Sequence, residues 1–135
     1  MTNKIYLTLI MSLFFSPIAL AEITIIVHPS NGNTMTPKEI SRLFLGKSKS
    51  FPNGDTAAPL VLNNDTAKEF NTKLLGKSAS QLKAYWSKLV FTGKATPPQR
   101  VSEEQMFELI KTNPNMIGYT DSSTINAEVK AIGHY

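Results

Sequence analysis

The 135-residue sequence contains no cysteine and only two histidines. The absence of cysteine excludes disulfides, thiolate metal sites, cysteine nucleophiles and a lipid-modified N-terminal cysteine. His28 and His134 would approach each other only if the first and last strands pair. With no third ligand nearby they would make a weak metal site. We therefore predict ordinary strand-end histidines, no metal and no cofactor, in a fold held together by packing alone.

Charge of one sign is only mildly in excess. The 14 lysines and arginines against 10 acidic residues give a formal charge of +4. The basic residues are scattered as lone lysines and Gly-Lys pairs rather than in a run, which argues against nucleic acid as a partner. The excess favours a weak attraction to small anions or acidic surfaces.

The first 21 residues have the pattern of a secretory signal peptide. Lys4 precedes the apolar run Ile5–Phe15, and Ala19-Leu20-Ala21 is a small-x-small cleavage signal. The apolar run is too short to span a bilayer, and no later stretch approaches that length. We predict cleavage after Ala21, a periplasmic protein that is not embedded in the membrane, and a single domain over residues 22–135.

Strand and helix patterns alternate along residues 22–135. Predicted strands cover Glu22–His28, Pro59–Asn63, Met116–Thr120 and Glu128–Ile132, the last followed by a frayed end. Predicted helices begin at Pro37, cover Ala67–Leu75, follow a Ser80 cap through Phe91, and follow a Ser102 cap, with an extended connection from Thr92 to Arg100. This order predicts a layered α/β domain.

Two Gly-Lys-Ser tripeptides, Gly46–Ser48 and Gly76–Ser78, match the end of a phosphate-binding P-loop. A P-loop requires glycine at position 41, which is Ser41, and it follows a strand and opens a helix. Here Gly46 follows a predicted helix, where the dipole is negative. We interpret both tripeptides as helix ends. Lys47 would neutralise the negative end of the dipole of the first helix.

The turn Asn63-Asn64-Asp65-Thr66 is the predicted ligand-binding site. It joins a buried strand to a helix, and ligands of open α/β sheets gather at strand carboxyl ends beside helix N–H groups. Asn63, Asn64 and Thr66 could add neutral hydrogen bonds. The alternative is that Asp65 or Thr66 only caps the helix.

Other candidate groups have a functional and a structural interpretation. Lys47 and Lys94, with Lys49, would form a basic rim if their loops converge, or would be solvated helix ends. Trp86 could stack on a ligand, but its helical spacing with Leu82 and Leu89 favours the core. Tyr119 lies on the same strand face as Ile117, which favours packing.

Several segments together resemble the phosphate-type substrate-binding proteins of ABC transporters. They are Leu43–Lys47, Phe51–Gly54, Trp86, Phe91–Lys94 and Asn113–Tyr119. Members of that family have two α/β lobes that close on a ligand. The resemblance implies that this chain is a single lobe of a type II periplasmic-binding-protein-like fold, with three layers and a mixed sheet flanked by helices. Both termini would lie near the hinge.

The resemblance also bears on the binding site. The family's Ser-Gly-Thr turn falls on Asn64, Asp65 and Thr66, of which only Thr66 matches, and the family's arginine is absent. It therefore implies a solute-binding-like protein that holds a small oxyanion such as phosphate weakly, with a homodimer able to enclose the ligand. The alternative is an interaction or sensory module of the cell envelope with an envelope protein as partner. No nucleophile-elbow motif or paired catalytic spacing is present, so we expect no enzyme.

Overall fold

The structure is a computed structural model that describes residues 22–135, and the predicted signal peptide, residues 1–21, lies outside the described residues. The strands are β1 (Ile23–Val27), β2 (Ala58–Leu62), β3 (Gln99–Val101), β4 (Met116–Asp121) and β5 (Lys130–His134). The helices are α1 (Pro37–Phe44), α2 (Thr66–Phe70), which continues as a π-helical turn over Asn71–Leu75, α3 (Ala79–Phe91) and α4 (Glu103–Thr112), and a short 3₁₀ turn covers Ser122–Thr124.

The five strands form one mixed sheet in the order β3-β2-β4-β1-β5. Strand β2 is parallel to both β3 and β4, whereas β1 is antiparallel to β4 and β5. The carboxyl ends of β2, β3 and β4 therefore meet at one edge of the sheet. The predicted α/β class with a mixed sheet flanked by helices is confirmed.

Helices cover both faces of the sheet. Neighbouring β4 residues point to opposite faces, so they contact different helices. Tyr119 faces α1 and α2, where its ring stacks on Phe70 with the centroids 3.9 Å apart. Gly118 faces α4, and a Cβ at this position would clash with Met106 Sδ. The absence of a side chain at position 118 lets α4 pack closely, and the result is the predicted three-layer arrangement.

Local sequence signals set most helix starts. Thr36 accepts a hydrogen bond from Glu39 N (3.2 Å) ahead of Pro37, as predicted. The predicted Ser80 cap of α3 is wrong, because Ser78 caps that helix. Gln81, three residues after Ser78, completes the capping box, because its Oε1 accepts a hydrogen bond from Ser78 N at 2.8 Å. The residue three positions after Ser80 is Lys83, which has no acceptor to complete such a box.

Both Gly-Lys-Ser tripeptides follow helical segments, as predicted. Gly46 and Gly76 adopt positive φ angles of 70° and 61°. After Gly46 the chain turns back, so that Lys47 N donates to Arg42 O at 2.9 Å. The N–H groups after Gly46 are thus bonded to carbonyl groups at the end of α1 and are not free to bind phosphate.

Strand β3 was not predicted, because the sequence pattern favours an extended connection there. Only Val101 of its three residues is buried, so no alternation marks the strand. Its partner determines it: Gln99, Arg100 and Val101 pair with Leu60–Leu62 of β2.

Helix α3 packs loosely against the rest of the domain, and none of the residues of α3 is buried. Trp86 is only half-buried, so its prediction as a core residue is wrong. The side chains of Val90 and Phe91 are 51% and 93% exposed. Tyr85 ties the helix to α1 by donating from its hydroxyl to Leu45 O at 2.6 Å.

The first and last strands pair, but antiparallel, so the two histidines lie at opposite ends. Thr24 is opposite His134, whereas Val27, next to His28, is opposite Lys130. Each histidine has a local partner: His28 Nδ1 is 2.7 Å from Ser30 Oγ, and His134 Nδ1 is 2.9 Å from Thr24 Oγ1. The predicted frayed C-terminus is also wrong, since β5 extends to His134.

Candidate functional site

Three connecting segments meet at the carboxyl edge of β2, β3 and β4. The turn Asn63–Asp65 follows β2, the start of α4 follows β3, and the 3₁₀ turn Ser122–Thr124 follows β4. Asn63 N donates to Val101 O at 3.0 Å and holds the first two segments together. This edge contains the residues predicted as the ligand-binding site.

The turn after β2 is closed by Asn64. Its side-chain Oδ1 accepts from Thr66 N at 3.1 Å, and its carbonyl accepts from Ala67 N at 3.1 Å. Asp65 occupies the N-cap position in a helical conformation and makes no side-chain capping bond. The alternative prediction that Asp65 or Thr66 caps the helix is therefore wrong. The Asp65 carboxylate instead extends into solvent, 99% exposed, 3.6 Å from Lys68 Nζ.

The turn offers an anion few unused donors. The Thr66 N–H is already bonded to Asn64, and α2 has only five residues before it widens into the π-helical turn. Asn63, Asn64 and Asp65 are all exposed, and Thr66 is half-buried. A ligand here would be bound on one side and hydrated on the other.

A buried polar network lies beside this turn. Thr120, fully buried, donates to Glu103 Oε1 at 3.2 Å and lies 2.7 Å from Thr124 Oγ1. Thr24, also fully buried, bonds Ser122. These bonds tie the start of α4 and the segment after β4 to the sheet.

The charges at this edge are predominantly negative. Glu103 and Glu104 stand at the start of α4, where they neutralise the positive end of its dipole. Hydrogen bonds from Ser123 N–H and Ser123 O–H, with a further contribution from Lys73, lower the pKa of Asp121. Together with Asp65, these carboxylates oppose a multiply charged oxyanion.

Of the lysines predicted as a basic rim, Lys49 and Lys94 come together, but away from the Asn63–Thr66 turn. A groove of about 540 Å³ is lined by Lys49 and Lys94, but Lys47 does not line it. Ala58, Gln99 and Met116, the first residues of β2, β3 and β4, also line this groove. It is therefore at the amino edge of the parallel strands, opposite the Asn63–Thr66 turn.

No group of three His, Asp or Glu side chains among residues 22–135 is placed to hold a metal ion. None of the helices there is long and apolar enough to cross a membrane.

The architecture is that of solved phosphate-type substrate-binding proteins. A protein from Clostridium perfringens, assigned as a phosphate ABC transporter substrate-binding protein and solved with bound phosphate, superposes with a TM-score of 0.62 at 19% identity. An ABC-type phosphate transport receptor from Vibrio cholerae gives 0.59 at 16%, and PstS from Borrelia burgdorferi gives 0.58 at 13%. Each alignment covers 83% of this chain. No family model matches the sequence, and no curated protein does so.

The chain spans less than half the length of these structures, namely 45%, 46% and 47% of the three in turn. It therefore has the fold of one lobe of a type II periplasmic binding protein, as the resemblance implied. Identities of 13–19% establish the fold alone.

Proposed function

We propose that this protein is a solute-binding-like domain that binds a small oxyanion weakly at the turn Asn63–Thr66. One observation supports this most: the turn follows β2 at the carboxyl edge of the sheet, in a fold shared with a protein solved with phosphate bound. Amide side chains at such an edge, here the exposed Asn63, can donate hydrogen bonds to an oxyanion. The Clostridium perfringens structure is described as a substrate-binding protein and the Vibrio cholerae structure as a transport receptor, which supports binding rather than catalysis.

Weak affinity follows from the local charges and from the open geometry. Asp65 places a carboxylate beside the ligand, and Glu103 and Asp121 add to the negative potential. A single lobe leaves one side of the ligand in water, and enclosure supplies much of a pocket's affinity. A homodimer that brings two carboxyl edges face to face would enclose the ligand. Lys49 and Lys94, at the far edge, contribute only long-range attraction.

Calorimetry and thermal shift with phosphate and sulfate test this proposal. We expect dissociation constants in the millimolar range, weaker still in Thr66→Ala. Asp65→Asn should tighten binding about two- to fivefold, because it removes one nearby surface charge worth about 0.5–1 kcal/mol. Thr96→Ala, the same substitution at the amino-edge groove, is the matched control.

Three outcomes would contradict the proposal: sub-micromolar phosphate binding, an unchanged affinity in both turn variants, or a loss confined to Thr96→Ala. Sedimentation with and without phosphate tests the dimer, which should form only when the ion is present.

A second candidate function, an interaction module of the cell envelope, is favoured by the surface around α3. Residues 77–100, which comprise α3 and its flanking segments, contain no acidic residue and five basic ones, namely Lys77, Lys83, Lys88, Lys94 and Arg100. Phe91 is almost fully exposed at the end of α3. An exposed aromatic among cations suits an acidic protein surface, and hot spots of interfaces are rich in such residues.

Photo-crosslinking in cells tests both this candidate and the proposed export. A photoreactive residue at position 91 should give one discrete crosslinked protein in the periplasmic fraction, from a chain that begins at Glu22. The same residue at the exposed Ala127, on the β4–β5 connection, is the control. Equal products from both positions would argue against a specific partner, and an uncleaved cytoplasmic chain would refute export.

A further inference from the structure

A cleft of about 600 Å³ lies between α3 and the body of the protein. Buried residues of the body, Phe44, Leu62 and Tyr119, line one side. Leu82 and Trp86 of α3 line the other. The volume lies within the range of about 300–1,000 Å³ that is typical of small-molecule sites.

The polar groups of this cleft are few, and its charged groups are all positive. Lys83 and Arg100 line it, and none of its lining residues is an aspartate or glutamate. Arg100 is close enough to Tyr119 to act on the pKa of that phenol, although burial dominates and raises it. The Tyr119 hydroxyl accepts from Leu62 N at 3.0 Å, and its own proton has no acceptor among residues 22–135.

Helix α3 supplies a wall of the cleft without being buried itself. An amphipathic helix normally buries its apolar stripe against the body. Here Leu82 and Trp86 keep part of that stripe open to the cleft. An apolar molecule between α3 and the body would bury this surface, at about 25 cal/mol per Å² removed from water.

We propose that this cleft binds a small amphipathic carboxylate, whose apolar body lies between Trp86 and the sheet and whose carboxylate is held by Lys83 and Arg100. Inorganic phosphate does not meet this description, because it has no apolar surface to bury. The inference is independent of the oxyanion site at Asn63–Thr66, which lines neither this cleft nor the amino-edge groove.

Trp86 is the only tryptophan and lines the cleft, so its fluorescence reports occupancy directly. We expect sodium octanoate to change the emission saturably below the concentration at which it forms micelles. 1-Octanol, with the same chain and no charge, should bind at least tenfold more weakly. Inorganic phosphate should leave the emission unchanged.

Two double variants test whether octanoate binds in the cleft beside α3. The double variant Lys83→Gln/Arg100→Gln should weaken octanoate binding at least tenfold, because both cations facing the carboxylate are removed. Lys88→Gln/Lys94→Gln removes the same charge from the same region without touching this cleft, and should change affinity less than twofold.

Trp86 also lines the amino-edge groove, so the variants decide between the two cavities. A larger loss in Lys88→Gln/Lys94→Gln would move the ligand out of the proposed cleft and overturn the proposal. Equal affinity for octanol and octanoate, equal loss in the two double variants, or no saturable change would each do the same.

Discussion

Phe70→Ala is expected to lower the free energy of unfolding by about 3–5 kcal/mol, the usual cost of truncating a buried phenylalanine. Phe70 is fully buried between two other aromatic rings. Its ring stacks on Tyr119 and meets Phe44 edge-on at 4.7 Å. Because α2 buries only this residue, the substitution also loosens the turn before it.

Urea denaturation followed by circular dichroism measures this loss. Phe91→Ala is the matched control, since the same atoms are removed from a side chain that is 93% exposed. It should change stability by less than about 0.5 kcal/mol. A loss at position 91 as large as at position 70 would mean that α3 is packed more tightly than the structure has it.

Tyr119→Phe is expected to destabilise the protein at neutral pH and to remove part of its sensitivity to alkali. The variant leaves the buried Leu62 N–H without its acceptor, which costs about 1–3 kcal/mol. The pairing of β2 with β4 stops at Pro59, so the N–H of Leu62 has no backbone acceptor on β4 and donates to the Tyr119 hydroxyl instead.

The alkaline effect follows from the raised pKa of the phenol. Burial raises the pKa of Tyr119 from 10.0 to about 12. Above pH 10 the unfolded chain loses this proton while the folded chain keeps it, so rising pH favours unfolding. The wild type should lose up to about 2.7 kcal/mol between pH 10 and pH 12 through this group.

Urea titrations at pH 8 and at pH 11.5 measure the alkaline effect. Groups common to both proteins cancel in the comparison, so the gap between wild type and Tyr119→Phe should narrow as pH rises. A constant gap would show that the folded-state pKa of Tyr119 is close to its ordinary value.

Local chemistry made several elements predictable. The start of α1 follows from Thr36, Pro37 and Glu39, whose roles require only neighbouring residues. The Gly-Lys-Ser tripeptides are helix ends for the same reason. Ser78 could also have been found, because Gln81 completes its capping box, whereas Ser80 has no such partner.

Features that depend on distant partners were not predictable from pattern. Strand β3 exists because β2 offers a free edge to Arg100 and Val101. The spacing of Trp86 with Leu82 and Leu89 indicates an apolar helix face, but not how closely the body approaches it. The positions of Lys49 and Lys94 at the amino edge follow from sheet topology, which the spacing of lysines does not contain.

The sequence by itself determined the α/β class, most helix starts and the position of the Asn63–Thr66 turn after a buried strand, since these depend on near neighbours and on periodicity. Only the tertiary structure decided which carboxylates surround that turn, which lysines lie far from it, and that α3 borders an open cleft. The carboxylates, the lysines and the walls of the cleft come from segments far apart in the chain. The distances between these segments are fixed only when the sheet assembles.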